Sequence, residues 1–178
     1  MAVIVSKIPQ FVLVAGMSIL LAGCGVTQKV AESSAAVTKS VFYKQVKTLH
    51  LDLRAREAVN TNDSGVALST VVRVYQLKDR KAFDRTDYAL LFTGGAQVLK
   101  ADLLAEKEVR LQPGSTLMVD MPMNESTRYV AVAGMFISPD QGNNTWRVVL
   151  SRDELHPDKP RVIEAGNNQL VLKGLCGE

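Results

Sequence analysis

From Val46 onward apolar and polar residues alternate, and that period of two limits the folds open to this chain more than any other feature. Leu49, Leu51, Leu53 and Ala55 fall on one side, and His50, Asp52, Arg54 and Arg56 on the other. An extended chain sends successive side chains to opposite faces, so the pattern reads as a half-buried antiparallel strand. Ser69 to Leu77 reads as a second strand. Between them, Asn60-Thr61-Asn62-Asp63-Ser64-Gly65 is dense in turn formers. Residues 46–77 are therefore expected to form a hairpin with a long polar tip.

The pattern then breaks. Asp84-Arg85-Thr86-Asp87 is a polar start able to cap a helix over Tyr88-Ala89-Leu90-Leu91, with Phe83 positioned as an N-terminal staple. Val98, Leu99, Leu103 and Leu104 extend the helical spacing by a turn or two. Phe92-Thr93-Gly94-Gly95-Ala96 reads as a turn. Strand signals resume at Val109 and Leu111, before the turn Gln112-Pro113-Gly114. Leu117, Val119 and Met121 alternate with Thr116, Met118 and Asp120. The nearly unbroken apolar run from Tyr129 to Ile137 suits a central strand buried on both faces. Trp146, Val148 and Leu150 alternate again, and Val162-Ile163 and Leu170-Val171-Leu172 flank the hairpin signal Gly166-Asn167-Asn168. About eight short strands with one short helical insertion predict a mainly β fold, a β-sandwich over residues 46–178.

The first 45 residues are of another kind. Lys7 precedes an apolar run, Phe11 to Leu21, too short to span a bilayer comfortably. This is the layout of a signal peptide, removed as residues 1–23. Leu21-Ala22-Gly23-Cys24 resembles the lipobox of bacterial lipoproteins, in which the cysteine receives diacylglycerol on sulfur and an acyl chain on its new amino terminus. Such an anchor is effectively permanent. Gly25, where an aspartate would favour inner-membrane retention, points to the outer membrane. Residues 24–45 then read as the lipidated terminus and a tether, small and polar, with a short helix over Val26–Lys39 as the alternative. A lipidated Cys24 cannot pair with Cys176, which is left as a lone thiol near the C-terminus.

Removal of residues 1–23 from the 178 leaves enough chain for a single core. The formal charge of +3 is scattered, with no basic stripe interleaved with aromatics, which speaks against nucleic acid as a partner. Catalytic patterns are missing. His50 and His156 have no ligand-spaced neighbours, and Ser69, Ser138 and Ser151 lack a nucleophile-elbow setting. Asp153-Glu154 and the Asp52, Glu57 pair read as solvated carboxylates at strand ends. An anchored sandwich of this kind suits binding or scaffolding rather than catalysis, and no cofactor or metal is expected beyond the lipid on Cys24.

Several segments together resemble a known family. They are the lipobox, the strand ending Val72-Arg73-Val74-Tyr75-Gln76-Leu77, then Phe83 with Asp87-Tyr88-Ala89-Leu90-Leu91, Leu111-Gln112-Pro113-Gly114, the apolar strand Tyr129–Phe136 and the Trp146-Arg147 strand. In this order they look like the TssJ-type (SciN/VasD) outer-membrane lipoproteins of the type VI secretion system. The resemblance implies a transthyretin-like β-sandwich with added helices and no enzymatic activity. It implies a role in holding the periplasmic domain of a large TssM-type inner-membrane subunit within a membrane complex. By position, the family's partner-binding loop maps to about Val59–Val66, which makes Asn60, Thr61, Asn62, Asp63, Ser64 and Gly65 the candidate contact residues. Their polarity suggests that they bury almost nothing and can be replaced with little loss of stability. Two rival readings remain: another envelope-assembly lipoprotein, such as a pilotin, and a lipoprotein that binds small ligands in an apolar pocket.

Overall fold

The computed structural model describes residues 45–174. The signal peptide, Cys24, the tether, its alternative helix and Cys176 lie outside the described residues. The eight strands are β1 (Thr48–Ala55), β2 (Thr70–Leu77), β3 (Leu103–Leu111), β4 (Thr116–Pro122), β5 (Tyr129–Met135), β6 (Arg147–Ser151), β7 (Arg161–Gly166) and β8 (Gln169–Leu172). Two helices, α1 (Lys81–Arg85) and α2 (Tyr88–Val98), lie between β2 and β3. The strands form two four-stranded sheets, ordered β4-β1-β7-β8 and β3-β2-β5-β6. Their inner faces meet in one core containing Leu49, Leu51, Leu53, Val72, Val74, Val119, Val130, Val132, Leu150 and Ile163. These core residues all belong to one compact unit, Gln45–Glu178, so that stretch is a folding unit in its own right. The sandwich read from the sequence is the fold observed.

The expected hairpin over 46–77 is not. β1 and β2 belong to different sheets, so residues 56–69 cross from one layer to the other instead of closing a two-stranded ladder. Both strands bury an apolar face against the same core, from opposite sides, and two packed sheets are only about 10 Å apart. A connection this long spans that gap easily. β1 instead lies between β4, antiparallel, and β7, parallel. The parallel pairing leaves no local trace in the sequence.

The helical region differs in three further respects. Asp87 caps α2, its carboxylate accepting from Leu90 N at 2.7 Å. Phe83 is four residues before that cap, not directly ahead of it where a staple sits; it is buried inside α1, 5.8 Å from the Tyr75 ring. Gly94 and Gly95 fall inside α2, not in a turn, with a kink at Gly94. Two glycines weaken a helix by about 1 kcal/mol each. Packing offsets this: Leu91 and Gly95 are buried, and Arg73 Nη1 donates to the carbonyls of Leu91 and Phe92. Finally, Leu103 and Leu104 open β3 and do not prolong the helix. Their spacing suits either state, and pairing with β2 decides.

Asn167 and Asn168 both have positive φ, 49° and 60°. They form the two-residue turn between β7 and β8, whose backbone twist matches that of the flanking strands. Gly134 on β5 is required by close approach, because a Cβ there would lie 2.7 Å from the Phe136 ring.

Candidate functional site

The strand directions give the sandwich two ends. Ala55 pairs with Ala165, Arg54 with Thr116, Val71 with Met135 and Ala133 with Arg147. The connection 56–69 therefore shares one end with the turns at 112–115 and 167–168 and with the loop 136–146. The chain enters β1 from Gln45 at the opposite end, beside the loop 123–128, where Met123 N donates to Lys47 O at 2.8 Å.

The loop between β1 and β2 is ordered by its own asparagines. Asn62 Oδ1 accepts from Ser64 N at 3.1 Å and Val66 N at 2.9 Å, while Asn62 N donates to Val66 O. Gly65, at φ 76°, takes a left-handed conformation that suits glycine. Asp63, Ser64 and Gly65 are exposed, and Thr61 and Asn62 are half-buried. Asn60 corrects the expectation that this loop buries almost nothing. It is buried, only 4% exposed, and its φ of 49° is one that asparagine tolerates better than most residues. Its Nδ2 donates to Ser69 O at 3.2 Å, and its Oδ1 accepts from Ile137 N at 2.8 Å. Asn60 is thus a latch joining the loop to both β2 and the end of β5. Val59, beside it, is fully buried.

The latch brings together residues that the sequence did not single out. Val66 (54% exposed) and Leu68 on the loop share this end with Met135 and Ile137 (52% exposed) at the end of β5. Thr70 Oγ1 donates to Met135 O, which ties the two segments again. Four apolar side chains are thus left exposed at the end that carries the polar tip. Apolar residues left outside the alternating core face were the available signal. The neighbouring loop is also braced: Asp140 accepts from Asn143 N at 2.9 Å and from its side-chain amide at 2.7 Å. The backbone N–H of Asn143, then its side chain, hold the Asp140 carboxyl below the usual carboxylate range.

The opposite end is closed. Gln76 is fully buried; its Nε2 donates to Pro122 O, and its Oε1 accepts from Asn124 N and Thr127 Oγ1, all at 2.9 Å. Arg152 Nη1 donates to the carbonyls of Asn124, Glu125 and Thr127, and its Nη2 donates to Val46 O at 3.0 Å.

The residues weighed for chemistry are dispersed. His50 Nδ1 lies 2.5 Å from Asp120 Oδ1, and His156 accepts from Asp158 N. Asp52 is buried, not solvated, and Arg54 grips its Oδ2 from two nitrogens, at 2.6 and 2.9 Å. Glu154 caps the 3₁₀ turn Arg152–Glu154 by accepting from the Ser151 backbone and hydroxyl. Among the described residues no group of three or more His, Cys, Asp or Glu side chains is placed to hold a metal ion. A hollow of about 110 Å³ lined by Arg56, Glu164, Asn167, Gln169 and Lys173 is smaller and more charged than a typical apolar ligand pocket of ~300 Å³ or more.

Fold and site together define a two-sheet β-sandwich with a pre-ordered loop and exposed apolar residues at one end. Residues 47–168 match the family described as type VI secretion lipoprotein, VasD, EvfM, TssJ, and the chain belongs to that family. It is similar to a chain in a solved type VI membrane complex, with 56% identity over 73% of this chain and all of that one, at a TM-score of 0.70. It is similar also to a chain in the structure of the TssM C-terminal domain (869–1107) from EAEC, with 55% identity, the same coverages and a TM-score of 0.68. The T6SS lipoprotein TssJ1 from Pseudomonas aeruginosa is 25% identical over 72% of this chain and 98% of its own, at 0.59. Comparison with curated proteins gives no match.

Proposed function

We propose that this protein is a non-enzymatic outer-membrane lipoprotein, acylated on Cys24. Facing the periplasm, it binds the periplasmic domain of a TssM-type inner-membrane subunit through the end bearing Asn60–Gly65, and so helps assemble the type VI secretion membrane complex. The observation that carries the reading is the 55–56% identity to chains in structures described as the TssM C-terminal domain and the type VI membrane complex. The geometry supports it. Gln45 enters β1 at the closed end, and the loop lies at the other end of the sandwich. Asn60 and Asn62 order the loop in advance, which lowers the entropy cost of binding. The domain boundaries follow: 1–23 removed, 24–45 lipidated tether, 46–178 sandwich.

Titration calorimetry of residues 45–178 against the partner's periplasmic domain tests the docking. Tight binding that is lost on changing Val66 and Ile137 to Asp supports it, whereas unchanged affinity in a folded variant refutes it. Palmitate labelling tests the anchor: Cys24→Ser is expected to lose the label, and equal labelling of both forms would refute acylation there.

A further inference from the structure

The peptide group between Phe136 and Ile137 lies just beyond the sheet. β5 ends at Met135, whose pairing with Val71 closes the ladder to β2. The next C=O and N–H therefore need partners from elsewhere. They find them at two distant points of the chain. The Tyr88 hydroxyl donates to Phe136 O at 2.6 Å, and Ile137 N donates to Asn60 Oδ1 at 2.8 Å. These are the two polar groups of one trans peptide, and they point in opposite directions.

We propose that Tyr88 is a positioning residue for the docking end. By holding the carbonyl side of this peptide it fixes the N–H side that carries Asn60, and with it the loop and Ile137. The consequence for binding rests on the function proposed above; the clamp on the peptide does not.

The surroundings of Tyr88 suit it to this task. It is the first residue of α2, and the Asp87 cap fixes the helix start from which it projects. Its ring is held in turn, edge-on to the buried Trp146 at 5.2 Å between centroids and 5.0 Å from Phe92. The peptide itself marks the step from core to surface, because Phe136 is buried and Ile137 is more than half exposed. A hydroxyl donating to its carbonyl polarises the peptide and strengthens its N–H as a donor. Without that hydroxyl the plane is held from one side only. It can then turn about its flanking bonds and carry Ile137 N out of line with Asn60 Oδ1, and hydrogen bonds weaken steeply as they bend. A hydroxyl serving its own bond alone would affect stability and leave Asn60 undisturbed; the clamp makes the two bonds interdependent.

Tyr88→Phe in residues 45–178 tests this, since it keeps the ring and removes only the donor. In the free protein, native-state amide exchange at Ile137 is expected to rise about tenfold relative to that at Val132 in the middle of β5. Affinity for the partner's periplasmic domain, measured by calorimetry on the folded variant, is expected to fall about fivefold. Made on Asn60→Gly, where the bond to Ile137 N is already gone, the same substitution is expected to change affinity less than about twofold. Unchanged relative exchange at Ile137 overturns the clamp. An affinity loss equally large in both backgrounds, or no loss in a protein that otherwise binds, overturns the positioning role. If the unsubstituted protein fails to bind, the docking reading alone falls, and exchange at Ile137, which needs no partner, still decides the clamp.

Discussion

The two ends of this sandwich handle polar groups in opposite ways. At the tether end Gln76 and Arg152 take up Pro122 O, Asn124 N and the carbonyls of Asn124, Glu125 and Thr127. At the loop end one buried asparagine does the latching, and Val66, Met135 and Ile137 remain uncovered. Apolar surface left out of the core contributes nothing to stability and is available for association. The difference separates the two ends: one is closed by its own hydrogen bonds, and the other keeps apolar side chains exposed where docking is proposed.

Substitutions can break that division, and the largest effect is expected at the closed end. Gln76→Leu keeps much of the volume but strands Pro122 O, Asn124 N and Thr127 Oγ1. At about 1–3 kcal/mol for each unsatisfied buried group, less what water recovers, the loss is about 4 kcal/mol. Thermal unfolding should fall by roughly 10 °C or more, with partner affinity unchanged in the protein that remains folded. An affinity loss matching the stability loss would erase the contrast between the ends.

The reverse pattern is expected for Val66→Asp with Ile137→Asp. Both positions are more than half exposed, so the melting temperature should move by only a degree or two. Burying two carboxylates at an apolar contact should weaken binding about 100-fold, or ~2.7 kcal/mol at ~1.4 kcal/mol per decade.

Asn60 tests where the ends differ least, because it stabilises the fold and also orders the loop proposed to dock. Asn60→Ala removes two hydrogen bonds, leaves Ile137 N unpaired and puts a Cβ-bearing residue without local hydrogen bonding at φ 49°. A stability loss of about 2 kcal/mol is expected, with affinity down about tenfold as the loop loses its order. Asn60→Gly relieves the backbone strain and should recover part of the stability in denaturant titrations, but not the affinity.

The smallest effect is one of pH. Hydrogen bonds from Ser151, backbone first and then hydroxyl, hold the Glu154 carboxyl below its ordinary value. A depressed folded-state pKa contributes stability above the unfolded pKa of about 4.3, and that contribution is lost as pH falls through the folded value. Because Glu154 is exposed, screening limits it to under about 0.5 kcal/mol. Glu154→Gln should remove that increment at pH 7 and match the wild type near pH 3; a constant offset at both pH values would assign the turn's stability elsewhere.

Much of this molecule was legible from its residues. Alternation located β1, β4 and β6, and an unbroken apolar run identified β5 as central, because burial on one face or two leaves a periodicity. Asn167-Asn168 announced a tight hairpin, and Asp87 a helix cap, because those side chains answer a local backbone need. The order of segments placed the chain in its family.

Other properties depended on partners distant in sequence. Which sheet β1 joins, and its parallel pairing with β7, are set by which edges meet after collapse. So are the continuation of α2 through Gly94-Gly95 and the turn of Leu103-Leu104 into β3, where packing and pairing outweigh propensities of about 1 kcal/mol. Asn60 shows the limit most sharply. Its amide looked like one more polar group on a loop tip, yet it is buried because its donor and acceptor partners, Ile137 N and Ser69 O respectively, are brought to it by the folded sheets. The sequence by itself determined most of the strands, the capped start of α2, the single core and the family. Only the tertiary structure decided which polar groups find buried partners and which apolar ones are left outside, because both depend on distances that exist only after the two sheets have closed.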